Sequence, residues 1–190
     1  MHIGAVVLVE GGSDRNAVLA LASRRGHDLD AEGVQVVVTG GATNMARFVA
    51  RSAAPGVRVA GLVDAPEERY ARGALARAGA VVPPGREGLA AHGFFVCDPD
   101  LEHELVGALG LAAAEAVLAA RGDLARFRTM QNQPAQRGRD PVAQLCRFLG
   151  AGSGRKHVYA TALVEALDPA AVPAPLDALL DHVLLRPPGG

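Results

Sequence analysis

Short runs of aliphatic residues alternate along the chain with longer segments of helical periodicity. Val6-Val7-Leu8-Val9 is continuously apolar and mostly β-branched, the pattern of a strand buried on both faces of a parallel sheet. It runs into Glu10-Gly11-Gly12-Ser13-Asp14, where the glycines allow a tight turn and the Ser-Asp pair can open a helix. Ala17, Val18, Leu19, Leu21 and Ala22 carry that helix to Arg24-Arg25-Gly26, cations and then glycine closing it. Residues 34–38 read as a second strand ending at Thr39-Gly40-Gly41, and Thr43 as the cap of a short helix through Met45, Phe48 and Val49. Residues 57–63 form a third strand with Asp64 at its end, followed by a helix from about 67 to 78 that tolerates Pro66 at its start. Val81-Val82 reads as a short strand, 83–88 as a loop and 94–97 as the last strand. From Leu101 onward the periodicity is helical, with helices expected near 101–109, 112–120, 141–149, 156–167 and 175–185. The polar, aperiodic stretch 129–139 reads as a loop and 186–190 as a frayed end; no internal repeat is present.

Strands alternating with helices predict an α/β fold: an open parallel sheet with right-handed crossovers, flanked by helices, and a helical C-terminal extension. The expected division is an α/β core over 1–125 and a helical part over 126–190. Parallel strands point their carboxyl ends to one edge, where ligands of open α/β sheets bind. Acids stand at three of those ends: Glu10 with Asp14, then Asp64, then Asp98, Asp100 and Glu102. Converging carboxylates repel unless a cation or a proton lies between them, and an all-oxygen set favours Mg²⁺ or Mn²⁺. A phosphate-cradling turn at 10–14 is a poorer reading, because G-x-G-x-x-G is absent and Glu10 would repel an anion. Stabilising a helix start accounts for Asp14 but leaves Glu10 unexplained.

The 190 residues suit one domain, and 49% hydrophobic with 4% aromatic content means Val, Leu and Ala must fill the core. Cys97 and Cys146 have no metal-ligand spacing. No apolar run nears the ~20 residues of a membrane span, and Met1 leads directly into a strand, so a cytoplasmic protein without a signal peptide is expected. The net charge of −1 hides an asymmetry: between Arg121 and Lys156 eight cations face only Asp123 and Asp140. An acidic site beside a basic segment suits a metal-dependent enzyme acting on a polyanion, although an ordinary solvated arginine surface has the same composition. Lys156 is the only lysine; the other 18 cations are arginine, which singles it out as a position needing a compact charge. Gly150-Ala151-Gly152-Ser153-Gly154-Arg155-Lys156 fails the phosphate-loop pattern, since His157 replaces the hydroxyl and no strand precedes it, so ATP binding is not expected there. His103 and His157 flank candidate residues and are read as surface positions or helix caps.

In chain order, Leu8-Val9-Glu10-Gly11-x-Ser13-Asp14, Val38-Thr39-Gly40-Gly41, Gly61-Leu62-Val63-Asp64, Asp100-Leu101-Glu102 and Lys156-x-x-x-Ala160 resemble a Toprim domain. The likeness is to the OLD (overcoming lysogenization defect) nucleases and spans about 3–165. It implies a two-metal nuclease site, with Glu10, Asp14, Asp64, Asp100 and Glu102 at Mg²⁺ or Mn²⁺ ligand positions. Glu10 and Lys156 would then be catalytic, Lys156 matching the family's catalytic lysine. Arg126, Arg128, Arg137, Arg139 and Arg155 would contact the nucleic-acid backbone. The family commonly has Asp-x-Asp where this chain has Asp64-Ala65-Pro66; Pro66 offers no ligand, so one metal is expected to be weakly held or absent, and Glu67 or Glu68 could compensate although each is out of register with the missing acid. Full OLD proteins join this domain to an ATPase, for which 190 residues leave no room, so a standalone form is expected. The expected partners are DNA, a separate ATPase chain and a second copy of the chain. The alternatives are a non-catalytic Toprim module binding nucleic acid or a partner, or a Toprim enzyme of RNA maturation or primer synthesis.

Overall fold

The computed structural model describes residues 3–151 and 155–184. Its centre is β1 (Ala5–Val9), five consecutive buried residues. Alternate side chains of a strand face opposite ways, so Ala5, Val7 and Val9 enter one apolar cluster while Val6 and Leu8 enter another. β1 pairs in parallel with β2 (Val34–Val38) on one side and β3 (Arg58–Asp64) on the other; β4 (Phe94–Cys97) continues beyond β3. The order is β2-β1-β3-β4, all parallel, as expected. Val9 is opposite Val38, and Asp64 opposite Cys97, so the strand ends that carry acids share one edge.

On the face of Val6 and Leu8 lie α2 (Met45–Ser52), α3 (Glu68–Arg77) and the single turn α4 (Gly85–Ala90), through Met45, Val49, Ala71, Ala74, Leu75 and Leu89. The other face is covered by α1 (Gly12–Arg24), α5 (Leu101–Leu109), α9 (Arg155–Ala166) and α10 (Ala174–Leu184). α6 (Leu111–Ala120), α7 (Leu124–Gln131) and α8 (Pro141–Gly150) extend the same cluster through Leu118, Phe127, Leu145 and Leu149. Arginines finish two of these helices by donating to carbonyls that lack helical partners. Arg24 reaches the carbonyls of Val164 and Leu167 at the end of α9, and Arg58 those of His182 (3.1 Å) and Val183 (2.8 Å) near the end of α10. Among the described residues no single helix is long and apolar enough to cross a membrane.

Several local expectations need correction. Val81-Val82 is not a strand; Val81 is 89% exposed. Within the expected loop 83–88 the chain turns into α4, because Arg72 donates to the Pro83 carbonyl (2.8 Å) and to that of Gly85. Thr129, Met130 and Gln131 complete α7, a helix the polar stretch concealed, anchored by the wholly buried Phe127. The rest of that stretch holds a 3-10 turn, Pro134–Gln136, where the Gln136 carbonyl accepts from Gln144 (2.7 Å), itself bonded to Gln131 (2.8 Å). Thr43 caps nothing with its side chain; it lies inside a 3-10 turn, Ala42–Asn44, ahead of α2. Residues 152–154 of the glycine-rich run and the tail 186–190 lie outside the described residues.

Gly61 in β3 faces the Phe94 ring, where an added Cβ would stand 2.6 Å from a ring carbon. Phe94 is wholly buried, so the ring has no free direction in which to yield. Gly61→Ala is therefore expected to destabilise by about 1–3 kcal/mol in urea titration, and adding Phe94→Leu should recover part of the loss.

Candidate functional site

Where β1 ends, Gly11 is extended (φ −127°, ψ 175°) and begins α1, and the Asp14 carboxylate turns back to accept the Gly11 N–H at 2.8 Å. The sequence thus places Glu10 at the strand tip and Asp14 one helical turn later at the same mouth. Asp64 ends the adjacent strand β3, and its carboxylate accepts the Leu101 N–H (3.3 Å), joining the end of β3 to the start of α5. Asp100 is the N-cap of α5: its Oδ1 accepts the His103 N–H (2.8 Å) and meets His103 Nδ1 (2.7 Å). Glu102, in the first turn of α5, is buried, and one of its oxygens lies 3.1 Å from Lys156 Nζ. Lys156 comes from the first turn of α9, which packs along α1.

Glu10, Asp14, Asp64, Glu102, Lys156 and His157 line one cavity of about 220 Å³ at this edge. Five of the six expected catalytic and metal-ligand positions therefore meet there: Glu10, Asp14, Asp64, Glu102 and Lys156, with Asp100 turned aside to His103. The cavity shows one further participant, His157, and Glu67 lies near Glu10 outside its lining. The His157 ring lies so close to Gly12 that a side chain there would run into it, and the His157 carbonyl accepts from Asn16 (3.0 Å). Glu67 stands against Glu10, and its Oε2 is buried with no hydrogen-bond partner. The adjacency of His157 to the sole lysine is the signal for that histidine, whereas Glu67 is already named from sequence as a possible substitute for the missing acid. Asp98 is outside the cavity, paired with Arg86 at 2.8 Å.

The electrostatics follow from crowding acids at a partly buried edge. Burial pushes the Asp64 carboxyl up to about 7, with Asp14, Asp100 and Glu102 adding repulsion. Burial likewise pushes Asp14 up to about 6; the Gly11 N–H opposes this, while Glu102 and Glu10 reinforce it. Glu67 rises to about 7, first through the proton it shares with Glu10 and then through burial. For Lys156, burial alone would lower the affinity for its proton, but Glu102 and the other acids outweigh it and raise it. All-oxygen donors, raised carboxyls and a buried oxygen without a partner suit a hard divalent cation in charge and donor type. Among the described residues, however, no three His, Cys, Asp or Glu side chains stand close enough to ligate one ion as placed.

The arginines divide. Arg128 makes a two-pronged pair with Glu115 (2.9 and 2.6 Å), Arg126 reaches Asp123 (3.3 Å), and Arg155 lies over the Phe148 ring and donates to the Phe148 carbonyl (3.0 Å). Arg137 and Arg139 are exposed and make no side-chain ion pair among the described residues.

Residues 4–65, the segment running from β1 to just beyond Asp64, match the family described as overcoming lysogenization defect protein-like, Toprim domain. This segment is therefore similar in sequence to the Toprim domain of OLD-like proteins. The fold likeness extends over the whole chain. The C-terminal region of the Burkholderia pseudomallei OLD protein superposes with a TM-score of 0.71 over 96% of this chain and 98% of its own, at 18% identity. The C-terminal region of the Xanthomonas campestris pv. campestris OLD protein does so with a TM-score of 0.67, over 95% of this chain and 94% of its own, at 26% identity. No curated protein sequence matches the chain. The Toprim segment contains Glu10, Asp14 and Asp64, whereas Asp100, Glu102 and Lys156 lie in the part covered by the fold likeness.

Raised carboxyl groups bind more protons in the folded than in the unfolded chain, so their contribution to stability falls as pH rises. For Asp64 the loss runs between about 4, its unfolded value, and about 7. In a chelating buffer the wild type should therefore lose more melting temperature between pH 5 and pH 8 than Asp64→Asn, as read by circular dichroism. Parallel pH dependences in the two proteins would contradict this electrostatic account.

Proposed function

We propose that the chain is a divalent-metal-dependent nuclease, using Mg²⁺ or Mn²⁺ to hydrolyse phosphodiester bonds in DNA. The observation that carries this reading is the meeting of Glu10, Asp14, Asp64 and Glu102 with the sole lysine in one cavity at the carboxyl edge. Glu10, Asp14 and Asp64 would hold a cation, with Asp100 and Glu102 offering ligands for a second. Such a cation activates water and stabilises the leaving oxygen. The Lys156 side chain, 46% exposed yet held by Glu102, would present a compact positive charge to a phosphate entering the cavity. Arg137 and Arg139, free of intramolecular acids, would hold the backbone without reading bases.

A second reading, a non-catalytic nucleic-acid-binding module, is favoured by two observations: Pro66 stands where the family commonly has an acid, and no preformed shell of donors is found among the described residues. Nicking of supercoiled plasmid separates the two. The wild type should nick with Mn²⁺ or Mg²⁺ and Glu10→Ala should not; millimolar Mn²⁺ should also raise the melting temperature, a gain Glu10→Ala largely loses. DNA binding without cleavage under either ion would establish the module instead.

Lys156→Arg should lower nicking by about an order of magnitude or more while leaving DNA affinity nearly unchanged, because the charge is kept and its shape is not. The double substitution Arg137→Ala, Arg139→Ala should do the reverse, weakening binding and flattening its salt dependence by up to about two units of slope. Filter binding across a salt series, run beside the plasmid assay, reads both.

A further inference from the structure

α2 starts beside the acid turn and runs away from it. The Gly40 N–H donates to the Glu10 carbonyl (3.1 Å), and the chain then turns through Gly40 and Gly41, both at positive φ (71° and 123°), towards α2. The helix crosses over β1 on its way from β2 to β3, so the edge strand β2 keeps an open strip on this face, where Val37 is half-buried. Strip and helix bound a groove of about 380 Å³. Val6, Val37 and Phe48 supply its apolar wall, and Gln35, Arg51 and Ser52 its polar rim.

Arg51 follows Arg47 and Phe48 by one helical turn, which puts all three on one side of α2. Both guanidiniums lie over the Phe48 ring, 5.2 and 5.7 Å from its centre. Both arginines are exposed, and neither makes an ion pair among the described residues. From Gly33 to Val63 the chain contains no Asp or Glu. On the neighbouring α3 and α4, by contrast, Glu68 takes up Arg72 and Asp98 takes up Arg86.

We infer that the groove between α2 and β2 takes an unpaired nucleobase of a nucleic-acid strand whose phosphates Arg47 and Arg51 hold. The inference rests on the nucleic-acid reading above and gives it a single-stranded segment as ligand. A guanidinium steadied by a ring keeps its charge, so it meets a phosphate without first leaving a carboxylate. The part of the Phe48 ring that lines the groove offers a stacking surface every base can use, and the aliphatic wall accepts the remainder. Gln35 brings a donor and an acceptor to the polar edge of the base, and Arg51 further donors. A paired base is stacked within its duplex and has no free face to insert, so a duplex gains the arginines but not the groove. Because α2 begins at the Glu10 turn, a strand lying along it leads from the groove to the acid cavity.

The test is fluorescence anisotropy with a labelled oligothymidylate and a duplex of equal length, in chelator and again with Ca²⁺. Phe48→Leu, which keeps an aliphatic filling and removes the ring, should weaken the single strand by about fivefold or more and leave the duplex unchanged. Arg47→Ala with Arg51→Ala should weaken both ligands and lower the single-strand salt slope by up to about 1.4 units, the loss of two phosphate contacts. Wild-type single-strand affinity in both variants, beside a weakened Arg137→Ala, Arg139→Ala protein, overturns the groove and leaves nucleic-acid binding standing. Equal losses of single strand and duplex in Phe48→Leu overturn the base pocket. Thymidine monophosphate competing as well as the oligonucleotide assigns the groove to a free nucleotide and overturns the strand. A wild type that binds neither ligand under either condition overturns the nucleic-acid reading and this inference together. Should Phe48→Leu fail to fold, Gln35→Glu, at an exposed rim position, carries the same expectation and is overturned by the same wild-type affinity.

Discussion

Mutual repulsion among carboxylates at one edge of a parallel sheet is the constraint around which this protein is arranged. The acids cannot move apart, because the strands carrying Glu10 and Asp64 are locked side by side and buried on both faces. Val6, Val7, Leu8 and Val9 each contribute about 1.5–3 kcal/mol by burial, so the core fixes the edge and the carboxyls must adapt. They adapt in two ways the structure displays: Asp14 and Asp64 accept backbone N–H groups, and Glu102 takes the lysine. Each response stands in for positive charge that the side chains of the edge themselves lack.

Parallel strands are legible because both faces are buried, which makes their apolar runs continuous and their ends sharp. That is why Glu10, Asp64 and the 98–102 acids could be assigned to one edge from sequence. What escaped was whatever depends on tertiary contact. α7 looks polar along its length and is held by one ring, Phe127, against Phe148. α4 follows two prolines and a glycine and exists because Arg72 gathers the carbonyls before it. Asp100 lies where expected in the chain but spends its carboxylate on the first turn of α5 and on His103. The arginine-rich segment reads as one basic surface, yet Glu115, Asp123 and Phe148 take up Arg126, Arg128 and Arg155, which no composition count could reveal.

α9 shows the same priority of site over local preference. It opens Arg155-Lys156-His157, three basic side chains at the end of a helix where the backbone dipole is already positive. A helix left to itself would place acids there. The arrangement persists because partners from elsewhere in the fold compensate it: Glu102 for Lys156, and the Phe148 carbonyl with Asp123 for Arg155. Further along, Tyr159 donates to Asp123 (2.9 Å), and at the far end Arg24 of α1 closes the helix. Contacts spread over the length of α9 thus hold its unfavourable first turn against α1. A local rule broken at a cavity and repaired by several distant contacts is the pattern expected where a side chain serves chemistry rather than the helix that carries it. Of the two, Arg155 turns to Phe148 and Asp123, while Lys156 reaches Glu102 at the cavity.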